Sequence, residues 1–440
     1  MNDACRVGLL FALVAAGVGV GLAELNDRLA PSLDHPAIGY FNYLEHPAHD
    51  PVANLERDLE QGKAQLQFDR TQGYLPSILQ ALHVPIESQM VVFSKTSLQV
   101  QHIQPDNPRT IFFNDSVAVA WVHGGFIELA ALDPQQGFIF YTLEQRSLPR
   151  PLLGRRDDCL SCHRSDITFG VPGGIVRSFY TMPDGNPKLI LGGFTTDDRS
   201  PFPERWGGWY VTGNMEDASD MGNAMVTDED HPDSMITPQT LHLSSLRAKF
   251  DTNAYLSPYS DIVALLVFDH QMHMDNLITR VGWEVRCALY DKMPAPEFAA
   301  LLRESANEFV DYLLFVDEAP LPGPVHGTSG YAAKFASEGP FDSRGRSLRQ
   351  FDLRTRLMRY PCSYMIYSKA FDSMPAQAKA AIYQRMWQIL SGQKKDHRYS
   401  HLSPTDREAI IEILRATKPD LPSYFQPPST PHTALLQRSR

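Results

Sequence analysis

The sequence predicts an α+β fold, with a β-rich N-terminal half followed by a mainly helical C-terminal half. Two textures predict it. Between residues 90 and 143, short β-branched and aromatic runs are separated by Pro, Asn-Asp, Gly-Gly and Asp-Pro punctuation. From residue 257 onward, apolar residues recur at helical spacing over much longer stretches. The composition agrees: 440 residues, 43% of them hydrophobic, with 33 prolines and 28 glycines, make a globular chain with many loops and a large core. Forty basic against 51 acidic residues leave a net charge of −11. That balance argues against nucleic acid as the main partner, because phosphate binding needs a basic footprint.

Along the chain, residues 7–23 form an unbroken apolar run behind Arg6, ending in Gly21-Leu22-Ala23 with Glu24 next. The run reads as a signal peptide or membrane anchor over residues 1–23, which places the body outside the cytoplasm, in the periplasm or its equivalent. Residues 24–148 hold two helices, at 55–68 and 75–82, and then a small antiparallel sheet built from 90–93, 110–113, 117–122, 126–131 and 137–143. Residues 149–235 begin irregular and rich in Gly and Pro. They continue with hairpin runs at 175–181 and 188–194, joined by Pro183-Asp184-Gly185-Asn186, a strand at 206–211 and an acidic loop at 216–233. Residues 236–421 are helical. Ser257-Pro258 reads as an N-cap and first-turn proline ahead of an apolar stripe at 262–281; helices follow at 296–316 and 375–390, and Ser403-Pro404-Thr405-Asp406 caps a last one through residue 414. The tail at 422–440 is expected to be loose. No internal repeat is visible.

The irregular segment contains Cys159-Leu160-Ser161-Cys162-His163, the pattern for covalent attachment of haem c. Positions i, i+3 and i+4 share one face of a helical turn. Two thiols on that face reach the two haem vinyl groups as thioethers, and the adjacent imidazole falls under the iron as axial ligand. Composition alone gives about 0.002 accidental matches, so the pattern is specific. Three other chemistries fit less well. A thioredoxin-like CxxC follows a strand and opens a helix, whereas here Arg155-Arg156-Asp157-Asp158 precedes and Gly and Pro follow. A zinc site needs two more ligands, but Cys287 and Cys362 stand alone. A disulfide across two intervening residues is strained. One covalent haem is therefore expected, bound by Cys159 and Cys162 with His163 on the metal. Cys287 and Cys362 are candidates for a disulfide in an oxidising compartment.

The sixth iron position separates a carrier from a catalyst. His270, on the stripe Leu266, His270, Met274, Leu277 and Val281, is the first candidate metal ligand, ahead of Met221 and Met274. The alternative for His270 is a core histidine satisfied by hydrogen bonds. Arg344, Arg346, Arg349, Arg354, Arg356 and Arg359 are either haem-propionate partners or a solvated face paired with Asp342 and Asp352. Trp121, Trp206, Trp209, Tyr141 and Tyr210 are either pocket walls or ordinary core. Pro172 is a candidate acceptor for the imidazole N–H.

Several stretches carry a family resemblance: FSKTSLQ at 93–99, DPQQGFIFYTLEQ at 133–145, CLSCHRSDITFGVPG at 159–173, RWGGWYVTG at 205–213, DHQMHMDNLITR at 269–280, GRSLRQFDLRTRL at 345–357 and YPCSYMIYS at 360–368. On them the chain resembles a family of exported bacterial monohaem c-type cytochrome-like proteins, from about residue 93 to 421. The resemblance implies a haem c but no particular reaction. It also implies a histidine ahead of Met-Gly-Asn after the WYVTG strand, where this chain has Asp220-Met221-Gly222-Asn223. The expected function is electron transfer through the haem, steered by the acidic surface toward a basic redox partner protein. The alternative is a haem enzyme, peroxidase- or oxidase-like, with an exchangeable sixth position, for which the large size of the chain is the argument.

Overall fold

A computed structural model describes residues 35–38, 44–217, 219–241 and 243–426. The expected signal segment lies outside the described residues. Within them, no helix is long and apolar enough to cross a membrane.

The fold is α+β, as its two sequence textures imply. Helices α1 (Pro51–Glu60) and α2 (Leu75–Ala81) precede strands β1 (Met90–Val92), β2 (Arg109–Phe113), β3 (Val117–Trp121), β4 (Ile127–Asp133), β5 (Gly137–Leu143) and β6 (Leu153–Arg155). All pair antiparallel, and β9 (Trp209–Tyr210) closes the far edge, giving the order β6-β5-β4-β3-β2-β1-β9. Between them, β7 (Arg177–Phe179) pairs with β8 (Gly193–Thr195), and β10 (Asn214–Met215) with β11 (Val325–His326).

Strand alternation gives the sheet two apolar faces, each with its own core. Val91, Phe112, Val119, Leu129, Ile139 and Tyr141 face α1 and α2. Val92, Phe113, Ala120, Leu132, Phe138 and Phe140 face the helical half. Trp209 and Trp206 share this second side, whereas Trp121, Tyr141 and Tyr210 lie on the first. The five aromatics therefore do not wall one pocket.

The helical half contains α4 (Pro238–Leu241), α5 (Ile262–Tyr290), α6 (Ala295–Leu313), α7 (Tyr331–Ala336), α8 (Lys369–Asp372), α9 (Ala376–Leu390) and α10 (Pro404–Thr417). Helix α5 is its spine: 29 residues, about 43 Å at 1.5 Å per residue, with 25 of them buried. The stripe read from the sequence is only part of this burial. Asp269, His270, Gln271, Asp275, Asn276, Arg280 and Glu284 are buried as well, because α5 is packed on all sides.

Three boundaries differ from expectation. Helix α1 starts at Pro51, capped by Asp50, whose carboxylate accepts from Val52 and Ala53, and stops before Gly62, so residues 63–68 are not helical. Helix α5 begins at Ile262 with Asp261 as cap, not at Pro258; an Asp side chain caps as well as a Ser and here binds Val263 N. The expected loose tail is packed at its first turn, since Ser423–Phe425 form a 3-10 turn that buries Phe425 against Trp387. Residues 427–440 lie outside the described residues. Helix α10 matches its cap, with Ser403 and Asp406 forming a reciprocal capping box.

Candidate haem-attachment site

The attachment motif follows the sheet's edge strand β6. Arg156 pins Asp158 at 3.0 and 2.5 Å, and the backbone then winds into one helical turn, α3 (Leu160–His163), with Cys159 at its N-cap. His163 N bonds Cys159 O at 3.0 Å, and Ser161 Oγ bonds Asp158 O at 2.7 Å. Cys159, Cys162, Cys287 and Cys362 are all free thiols, so neither the candidate pair Cys287 and Cys362 nor Cys159 and Cys162 is bridged among the described residues. Cys159 is half-buried and burial pushes its thiol up to about 11, while Cys162 is exposed. Among the described residues, no cluster of three or more His, Cys, Asp and Glu is arranged to hold a metal ion, which leaves the zinc alternative without further ligands.

His163 is held in one tautomer. Its Nδ1 lies 2.9 Å from Gly173 O, and a carbonyl can only accept, so the proton sits on Nδ1 and Nε2 keeps its lone pair. Gly173 N returns a bond to His163 O at 2.8 Å. The ring also lies 4.7 Å from the Phe140 ring. Burial holds the imidazole below the ordinary histidine value, against the pull of the Gly173 carbonyl. The orienting acceptor is therefore Gly173 rather than Pro172. Pro172 O is already engaged at 3.0 Å by Phe138 N of β5.

The loop behind the ring is clamped to α5. Asn276 donates to Gly174 O (2.8 Å) and accepts from Gly174 N (2.9 Å), and Arg280 lies 4.4 Å over the Phe169 ring. Two glycines allow this close approach. At Gly137, with φ +81°, a Cβ would fall 2.6 Å from Pro172 O and 2.8 Å from Thr279; at Gly173 it would meet Asn276 Oδ1 and lie 2.8 Å from Thr168.

In front of the ring, the inner sheet face is lined by small and charged residues. Ala118 pairs with Ala130 and Ala120 with Glu128, and Arg109 binds Glu128 at 2.8 Å. Arg109 and Glu128 both act electrostatically on His163, and Glu128 acts also on Cys159. Ala118, Ala130, Glu128, Arg109 and Thr142 are only half-buried, although the opposite face of the same strands is sealed. Among the described residues, the buried Nε atoms of Arg109 and Arg177 meet no hydrogen-bond acceptor. Two thiols, a directed imidazole nitrogen, a low floor and orphaned guanidinium donors fit a flat dianionic macrocycle.

His270 does not belong to this constellation. It is fully buried, with Nδ1 3.2 Å from Asp198 Oδ2 and Nε2 2.7 Å from Ser363 Oγ, stacked against Tyr312 (5.1 Å) and Phe315 (4.4 Å). Both of its nitrogens are thus engaged by residues other than those of the attachment motif. Helical periodicity foretold its burial but not which core it would enter. The order Ser363–His270–Asp198 is that of a hydrolytic triad. All three side chains are sealed, however, and Ser363 Oγ also caps Met365 N at 3.2 Å, so no substrate reaches them.

Met221 and Met274 are fully buried too, and Ser178 Oγ lies 3.6 Å from the Met221 sulfur. Asp220, at the position where the resemblance implies a histidine, is buried, takes a turn bond from Gly222 N at 2.8 Å and is pushed by burial up to about 7. Four of the six arginines in the arginine-rich segment form ion pairs: Arg344 and Arg346 with Glu412, Arg349 with Asp115, Arg356 with Asp406. His273, which the sequence reading passed over, lies edge-on to Phe169 at 5.2 Å, with Nδ1 3.2 Å from Asp197. Its position three residues after His270 was the available signal. Comparison of the chain with protein-family models, with curated proteins and with solved structures finds no match.

Proposed function

We propose that the chain is an exported monohaem c-type cytochrome, bound to haem through Cys159 and Cys162 with His163 as axial ligand, working in electron transfer. When bound, the haem supplies a one-electron ferric/ferrous couple whose potential follows ligation, burial and nearby charge. The observation that carries the reading is the single helical turn of CLSCH with the His163 proton fixed on Nδ1 by Gly173, which aims Nε2 away from the loop. The chain's own residues bind and orient: two thiols for attachment, Gly173 for the tautomer, and Asn276 for the loop that carries Gly173. The net charge of −11 suits a basic redox partner, and the apolar N-terminal run suits export or anchoring.

The test is expression in a host with working cytochrome maturation. Wild-type protein is expected to carry one covalent haem by mass and pyridine haemochrome, and the Cys159→Ala/Cys162→Ala double variant none. A colourless wild-type protein of unmodified mass overturns the proposal.

The sealed bonding of His270 supports a second reading, a haem with an exchangeable sixth position. On that reading the ferrous protein binds CO with a shift of the Soret band, and His270→Asn leaves the shift unchanged. A low-spin ferrous spectrum indifferent to CO excludes it.

A further inference from the structure

We infer that Arg109 and Arg177 hold the haem propionates, seating the macrocycle over the alanine floor of the sheet. The inference rests on the cytochrome proposal and adds how the haem lies.

A c-type haem brings two carboxylates besides its iron, and each needs a cation or donors once removed from water. The sequence offers the cluster Arg344 to Arg359 for this task, but its ion pairs are with Glu412, Asp115 and Asp406. The inner sheet face provides different arginines. Arg109 sits on β2, and its register neighbour Val92 pairs onward with Trp209 of β9. Trp209 Nε1 donates to Arg177 O at 2.8 Å, which stands the β7–β8 hairpin over the same face two strands from Arg109, about 5 Å per strand. The Arg177 guanidinium lies 4.7 Å over the Phe179 ring of its own strand.

Both guanidinium groups are half-buried and each has a buried Nε without an acceptor among the described residues. Charge supports the pairing. Glu128 already takes one of Arg109's nitrogens at 2.8 Å, so one arginine alone would face three carboxylates. A second arginine brings the patch closer to balance. Between the two, Ala118, Ala120 and Ala130 keep the floor low beside Phe140 and the His163 ring.

The test is redox titration against pH of holoprotein whose haem content is first verified by mass. Arg109→Gln and Arg177→Gln are each expected to lower the midpoint potential, because removing a cation favours the ferric form. The expected shift is about tenfold in the ferric-to-ferrous ratio, about 59 mV for one electron. Each also moves the propionate-linked break in the pH profile upward, and the double variant moves both further. Arg109→Lys, which keeps the charge, restores most of the potential; Arg344→Gln, remote in the helical half, changes neither. If Arg109→Gln folds poorly with Glu128 stranded, Arg109→Gln/Glu128→Gln removes that strain and still moves the break upward. Haem-loaded variants with wild-type potentials and pH profiles overturn this inference, whereas wild-type protein without haem overturns the cytochrome proposal instead.

Discussion

Raising the pH from 5 to 8 is expected to destabilise the fold by several kcal/mol, because several carboxyls are buried in forms that prefer to stay neutral. Burial pushes Asp220, Asp269 and Glu284 up to about 7 and Glu318 to about 8. Asp275 on α5 is pushed well above the carboxylate range by burial and then by the Asp115 charge, against a smaller pull from Gln271, and neither of its oxygens has a hydrogen-bond partner among the described residues. In each case the folded chain holds its proton more tightly than the unfolded chain, so the stabilisation is complete below about pH 4. It is lost steadily as pH climbs through 7 to 8. His163 and His273, both held low by burial, oppose the trend below the ordinary histidine value, but two imidazoles do not offset five carboxyls. Asp275→Asn separates the contributions: it keeps the shape without the ionisation, so it should change the unfolding temperature little at pH 5 and raise it at pH 8. Equal effects at both pH values would show that Asp275 does not titrate in this range.

Gly173→Ala is expected to destabilise the protein by about 1–3 kcal/mol and, on the cytochrome proposal, to raise the haem potential, two effects from one methyl group. The added carbon collides with Asn276 Oδ1 and approaches Thr168 to 2.8 Å. Asn276 cannot step aside without giving up both of its bonds to Gly174. The backbone must shift instead, and with it the carbonyl that accepts from His163 Nδ1. A weaker acceptor makes the imidazole a poorer electron donor, which disfavours the ferric state. Chemical denaturation reads the first effect and redox titration the second. A stability loss with an unchanged potential would show that Gly173 does not tune His163.

The inner strands were legible because their β-branched runs are short and bounded by turn residues: β5 was expected at 137–143 and spans Gly137–Leu143. Segments whose ends depend on a single polar cap were misplaced, as with Asp50 for α1 and Asp261 for α5. Each cap is an acceptor chosen by local geometry, and Ser257-Pro258 looked equally suitable. The local shape of the CLSCH segment was legible, because its spacing suits the single helical turn that Leu160–His163 form. Its surroundings were not. Arg109 and Glu128 are 19 residues apart in sequence and meet only through the register of β2, β3 and β4, which no local pattern encodes. His270 illustrates the same limit, because its partners Asp198 and Ser363 lie 72 and 93 residues away.

The strand order also dictates a sequence of assembly. Neighbouring hairpins from β1 to β6 can zip as soon as they emerge, but the outer rail β9 must return from over a hundred residues downstream to dock on β1. Long-range closure of this kind is slow relative to hairpin formation. Cys159 and Cys162 ride in the span between β6 and β9, so on the cytochrome proposal both sulfurs would be open to a maturation enzyme until that outer rail docks.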